Sequence, residues 1–109
     1  GDTHSLIGRD EIARMPSHAV LVNTSRGGVV DEAALLAALY SGGLGGACLD
    51  VLAQEPPAAD HPLLCADLPN LIITPHVAWA SHQAQQTLVD EVAGNIAAFL
   101  RGESRNRVV

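Results

Sequence analysis

The chain has 109 residues, 48% of them hydrophobic and only 3% aromatic, and a formal net charge of −6. That is enough for one small domain, or one half of a larger one, with a core of Ala, Val, Leu and Ile. All six cationic side chains are arginines and none is lysine, so the clustered cations that nucleic acids and anionic membrane surfaces attract are missing, and neither is expected as a partner.

No run approaches the ~18–20 apolar residues of a membrane span, and no cationic, apolar signal sequence opens the chain. Cys48 and Cys65 lack the spacing of a redox or zinc motif and are expected as free thiols in a reducing compartment, with the cytoplasm as the default location.

Arg9 to Met15 reads as a short helix stopped by Pro16 and Ser17. Ala19 to Thr24 is a continuous apolar run, the pattern of a strand buried on both faces, and Gly27-Gly28 then permits a tight turn. Asp31 is a good N-cap for a helix from Glu32 to about Tyr40, with Leu35, Leu36 and Leu39 on one stripe and Gly42 or Gly43 at its end. Gly46 to Val51 is a second strand. Gln54 to Pro69 holds four of the six prolines and reads as a long ordered loop. Leu71 to Thr74 is a third strand. Ser81 caps a last helix running to about Leu100, in which Leu88, Val92, Ile96 and Leu100 recur every four residues, and Gly102 closes it.

This alternation predicts an α/β fold with a parallel sheet. Ligands of such sheets bind in the crevice at the carboxyl ends of the strands. Arg26, Glu55 and His76 each follow a predicted strand, so three polar residues far apart in sequence are expected to converge there. An arginine to hold a carboxylate, a histidine to move a proton and a glutamate to orient the histidine form a coherent catalytic set. Each also has a plainer reading: a surface arginine beside a glycine turn, a solvated loop acid, and a histidine capping a structural turn. His4, His18, His61 and His82 read as surface or packing residues, and no metal-ligand spacing is present. No G-x-G-x-x-G follows a strand. The stretch Gly42-Gly43-Leu44-Gly45-Gly46 follows a helix and precedes a strand, so it reads as a tight turn and not as a phosphate cradle.

Asn23-Thr24-Ser25-Arg26-Gly27-Gly28-Val29-Val30-Asp31-Glu32 resembles the signature of the D-isomer-specific 2-hydroxyacid dehydrogenases. Leu49-Asp50-Val51 with Glu55-Pro56, and Thr74-Pro75-His76, resemble further segments of the same family, in the same order and spacing. His76-Val77-Ala78-Trp79-Ala80-Ser81 and the ending Asn106-Arg107-Val108-Val109 are most similar to its glycerate dehydrogenase, or hydroxypyruvate reductase, branch.

The resemblance implies the C-terminal half of a Rossmann-like doubly wound sheet, about three strands with flanking helices. Residues 1–109 would form part of an NAD(P)-binding domain, without the phosphate-loop half and without the substrate domain. It implies hydride transfer between NAD or NADP and C2 of a small 2-oxo or 2-hydroxy acid, with hydroxypyruvate/glycerate or glyoxylate as substrates and a homodimeric parent. It assigns Arg26 to the substrate carboxylate, His76 to the proton and Glu55 to holding His76. Thr24, Ser25, Arg26, Asp50, His76 and Ala78 would meet the cofactor, and Trp79 would either wall the pocket or pack in the core. Asp50 would lie near the nicotinamide, or else be a strand-end acid in solvent. The choice between NAD and NADP stays open. Two other readings stay open beside the enzyme: an NAD(H)-sensing, corepressor-like interaction protein, and, for the 109-residue polypeptide alone, an inactive fragment that associates through its open sheet edge.

Overall fold

The computed structural model describes residues 3–108. Gly1, Asp2 and Val109, the last of which belongs to the C-terminal stretch of the resemblance, lie outside the described residues. The chain divides into two compact units, Gly1–Val77 and Ala78–Val109.

The first unit is built on a three-stranded parallel sheet in the order β1-β2-β3, with β1 Val20–Asn23, β2 Gly46–Leu49 and β3 Leu71–Ile73. Helices α1 Arg9–Ala13, α2 Glu32–Ser41 and α3 Pro62–Cys65 flank it. The strands are shorter than the apolar runs that predict them because pairing stops where the chain turns off the sheet. Helix α2 starts where the sequence places it: the Asp31 carboxylate accepts from Ala34 N at 3.0 Å, satisfying one of the orphan donors of the first turn. It ends at Gly42, whose φ of 71° is the left-handed conformation a C-cap requires.

Helix α3 is the main departure from the expected long loop. Its four residues are too few to show periodicity. Its start is nevertheless chemically specified, by Pro62 in the first turn and by His61, whose Nδ1 accepts from Leu63 N at 3.3 Å. The tight turn expected at Gly27-Gly28 is a 3₁₀ turn, Gly27–Val29.

The core lies on one side of the sheet. Leu21, Ala47 and Leu49 are buried there with Ile12, Val30, Ala34, Leu35, Leu39, Leu44, Leu52 and Leu63. Side chains alternate across a strand, so the other face carries Val20, Val22 and Ile72, which are exposed, with Cys48 between them at intermediate burial. The expectation that the Ala19–Thr24 strand is buried on both faces therefore holds for one face only within this unit.

The second unit contains a 3₁₀ turn at Ala78–Ala80 and helix α4, His82–Leu100. Ser81 caps α4 by accepting from Ala84 N at 3.1 Å. The tail folds back along the helix. Arg105 donates to the Glu91 carbonyl at 3.1 Å, to Asn95 Oδ1 at 2.8 Å and to Glu91 Oε1 at 3.0 Å. The predicted apolar stripe of α4 is present but exposed, with Leu88, Val92, Ile96 and Leu100 all open to solvent. A single helix with a short polar tail has no second layer on which to bury it.

Candidate active site

The parallel register aligns Asn23, Leu49 and Ile73 in one row. Hydrogen bonds extend that row by one residue, from Asp50 N to Asn23 O at 2.9 Å and from Thr74 N to Leu49 O at 2.9 Å. Thr24, Asp50 and Thr74 thus leave the sheet together at its carboxyl edge, and the segments carrying Arg26, Glu55 and His76 all start from that edge.

His76 and Glu55 meet directly, with Nδ1 2.8 Å from Glu55 Oε2. The other carboxylate oxygen, Oε1, accepts from Leu52 N at 3.0 Å. The carboxyl of Glu55 is held below its ordinary value of 4.5, first by the hydrogen bond from His76 and then by that from Leu52 N. The positive charges of His76 and Arg26 act in the same direction, and partial desolvation opposes them. An ionised carboxylate only accepts, so Nδ1 carries the ring proton towards Glu55 and Nε2 is the nitrogen left for proton exchange.

The backbone of His76 is held in an uncommon conformation, with φ of 55°. Two constraints keep it there. His76 N donates to Thr74 O at 3.0 Å around Pro75, a three-residue turn. Asp50 Oδ1 accepts both from the Thr74 hydroxyl and from Val77 N, the latter at 2.9 Å. Asp50 is 5% exposed, so it is not the solvated strand-end acid that the sequence left open. It is a buried carboxylate bonded on both sides of His76.

Arg26 leaves β1 through a turn organised by Asn23, a residue the sequence pattern gave no separate role. Asn23 is buried. Its Oδ1 accepts from Ser25 N at 3.0 Å and from Ser25 Oγ at 2.9 Å, while its Nδ2 donates to Arg26 O at 2.9 Å. The bond to the amide two residues on is an Asx-turn, and an Asn closing an apolar run ahead of Thr24-Ser25-Arg26-Gly27-Gly28 is the sequence signal that could have found it. Thr24, Ser25 and Arg26 are exposed beyond this turn, and Arg26 Nη1 donates to the Ser25 carbonyl at 2.7 Å.

Gly27 is required because the turn presses on the Leu52–Ala53 peptide: a Cβ there would lie 1.9 Å from Leu52 C and 2.3 Å from Ala53 N. Glu55 and His76 line two clefts. One, of about 400 Å³, is bounded by Asp50, Leu52, Ile73 and Thr74, and the other, of about 220 Å³, by Arg26, Gly27 and Leu52. Arg26, Glu55 and His76 therefore border common space.

Ala78 and Trp79 belong to the 3₁₀ turn of the second unit, and both are exposed there. Of the other histidines, His61 is more than a surface residue: its Nε2 is 3.3 Å from Glu32 Oε2. Cys48 and Cys65 are free. Among the described residues there is no group of His, Cys, Asp and Glu able to hold a metal ion, and no helix long and apolar enough to cross a membrane.

The family profile of the D-isomer specific 2-hydroxyacid dehydrogenase, NAD binding domain, matches residues 1–78. A glycerate dehydrogenase of Methylorubrum extorquens is 54% identical over 107 residues, which cover 98% of this chain and 34% of that protein. Among solved structures, an acyclic imino acid reductase in complex with NADPH and D-Arg superposes with a TM-score of 0.80 at 32% identity, covering 100% of this chain and 34% of that one. An NADPH-dependent glyoxylate/hydroxypyruvate reductase of Sinorhizobium meliloti, in complex with NADP and sulfate, superposes with a TM-score of 0.75 at 35% identity, covering 99% of this chain and 34% of that one. The chain thus spans about a third of the length of the relatives it matches. With an open parallel sheet of the Rossmann-like kind and a profile match over most of its length, the chain belongs to the D-isomer specific 2-hydroxyacid dehydrogenase family, in its NAD-binding domain.

Proposed function

We propose that this chain is the part of a nicotinamide-dependent oxidoreductase that carries its catalytic groups. The substrate would be a small 2-oxo or 2-hydroxy acid, with hydroxypyruvate/glycerate or glyoxylate as the first candidates. The observation that carries the reading is the His76 Nδ1–Glu55 Oε2 contact of 2.8 Å, at a strand-end edge where both residues share a cleft with Arg26.

The residues present fit the nicotinamide end of a dinucleotide. Thr24, Ser25, Asp50 and His76 gather at the carboxyl edge of the sheet, the place where this fold class receives such a ligand. When bound, NAD(H) or NADP(H) supplies or accepts the hydride at C2. In the direction of reduction, His76 Nε2 donates a proton to the C2 oxygen as the carbonyl becomes an alcohol. In oxidation it takes that proton back. Glu55 fixes the Nδ1–H tautomer and stabilises the imidazolium. The planar fork of Arg26 binds the substrate carboxylate through paired hydrogen bonds and draws electron density from the C2 carbonyl.

Two of the three relatives named above are glycerate and glyoxylate/hydroxypyruvate enzymes, which favours those acids here over the imino acids of the third. The two free thiols fit a reducing cytoplasm. The homodimer rests on the family resemblance and is measured by light scattering. The deciding experiment is an absorbance assay of the full-length protein with hydroxypyruvate and glyoxylate, using NADH and NADPH in turn. Turnover that is lost in His76→Ala supports the reading. NAD(H) binding without turnover of any 2-oxo acid replaces it with the nucleotide-sensing alternative.

A further inference from the structure

Glu32, the first residue of α2, lies outside the strand-end cluster, yet both of its carboxylate oxygens are engaged. Oε1 accepts from Ala53 N at 2.7 Å, and Oε2 is 3.3 Å from His61 Nε2. The two side chains are only 19% and 14% exposed. Glu32 stands on a firm base, because α2 is capped by the neighbouring Asp31 and its Leu35 and Leu39 are in the core.

The amide that Glu32 holds is a junction. It belongs to the Leu52–Ala53 peptide, the same peptide against which Gly27 packs so closely that a Cβ would lie 2.1 Å from Leu52 O. One peptide earlier, Leu52 N donates to Glu55 Oε1. The turn that carries Arg26 and the segment that carries Glu55 therefore meet at one peptide, and Glu32 is the side chain that grips it. A glutamate needed only as a favourable charge at a helix N-terminus would have no reason to reach a backbone amide 21 residues away.

We propose that Glu32, held by His61, is a positioning residue: it clamps the Leu52–Ala53 peptide and so sets Arg26 and the Glu55–His76 pair in register. The kinetic half of this inference rests on the proposed oxidoreductase function; the structural half does not.

The test uses the full-length protein in three variants, Glu32→Ala, Glu32→Gln and His61→Ala, with two readouts. In hydrogen exchange followed by mass spectrometry, Glu32→Ala should speed exchange of the peptide covering residues 51–55 by about tenfold or more, the scale of a lost charge-assisted hydrogen bond. Glu32→Gln should restore most of the protection, because its amide oxygen can accept the same N–H, and His61→Ala should give a smaller increase. In steady-state kinetics, Glu32→Ala should lower kcat about tenfold or more and raise KM for the oxo acid. It should leave KM for the cofactor within about twofold, and Glu32→Gln should recover kcat.

Unchanged exchange at 51–55 in Glu32→Ala overturns the clamp. Faster exchange with wild-type kcat and KM overturns the positioning role. If Glu32→Ala does not fold, Glu32→Gln and His61→Ala decide: protection and kcat near wild type in the first with partial loss in the second support the proposal, and a Glu32→Gln as impaired as His61→Ala or worse rejects it. A wild-type protein that turns over no 2-oxo acid rejects the functional reading instead, and the exchange readout still scores the clamp.

Discussion

Asp50 Oδ1 accepts from Val77 N at 2.9 Å, across a sequence gap of 27 residues. The same oxygen accepts from the Thr74 hydroxyl, so one buried carboxylate bonds the chain on both sides of His76. The positive φ of His76 is thereby fixed from the end of the neighbouring strand, and the imidazole faces Glu55 without further adjustment.

Replacing Asp50 should therefore be costly. Asp50→Ala is expected to lower stability by about 2–4 kcal/mol, since hydrogen bonds to a charged group contribute about 1.5–3 kcal/mol each and Thr74 and Val77 lose their acceptor. Asp50→Asn keeps one carbonyl acceptor and should lose about half as much. Urea unfolding followed by far-UV circular dichroism measures both, and an Asp50→Ala protein within about 0.5 kcal/mol of wild type would disprove the bracing role.

His76→Ala in the full-length protein should lower kcat by about 10²–10⁴, the usual contribution of a positioned proton donor. Cofactor affinity should fall far less than kcat, because the proton is needed only in the reaction and His76 is one of several groups proposed to meet the cofactor. Stopped-flow and steady-state rates with NADH or NADPH are the measurement, and near-wild-type turnover would take His76 out of the chemistry.

Arg26→Lys keeps the charge and loses the fork. KM for the oxo acid should rise and kcat should fall together, because carboxylate binding and carbonyl polarisation are weakened at once. A rise in KM with kcat unchanged would leave Arg26 a binding role only.

Glu55 gives a pH prediction with a definite sign. Its carboxyl titrates below 4.5 in the folded chain, so near that pH the folded state binds fewer protons than the unfolded chain. The associated stabilisation is present above the unfolded value and is lost as pH falls through the folded one. Glu55→Gln removes the titration. As pH falls below about 5 the urea midpoint should therefore fall more steeply for wild type than for Glu55→Gln. Parallel slopes would show that the His76–Glu55 contact does not persist in solution.

The 109-residue chain alone contains no G-x-G-x-x-G, and the groups proposed to meet the cofactor would touch only its nicotinamide end. Calorimetric titration of this polypeptide with NADH should show no tight binding, and an absorbance assay no reduction of hydroxypyruvate. Micromolar affinity together with turnover would overturn this prediction and show that the chain holds the pyrophosphate without a G-x-G-x-x-G turn.

The elements could be read from the sequence where local chemistry decides them. The Asp31 and Ser81 caps, the Gly42 stop and the three apolar runs act over a few residues, and short-range forces place them. The strand-end positions of Arg26, Glu55 and His76 were legible for the same reason, since a parallel sheet delivers all its carboxyl ends to one edge. Other features were decided only by tertiary structure, because they depend on contacts between segments distant in the chain. Helix α3 is too short to show periodicity. The apolar stripe of α4 predicts a buried face, yet burial needs a second layer that periodicity does not specify. The grip of Glu32 on Ala53 N, the approach of Gly27 to the same peptide and the bridge from Asp50 across His76 span 21 to 27 residues. Such contacts leave no periodic trace in the sequence, because they join segments that only the folded chain brings together.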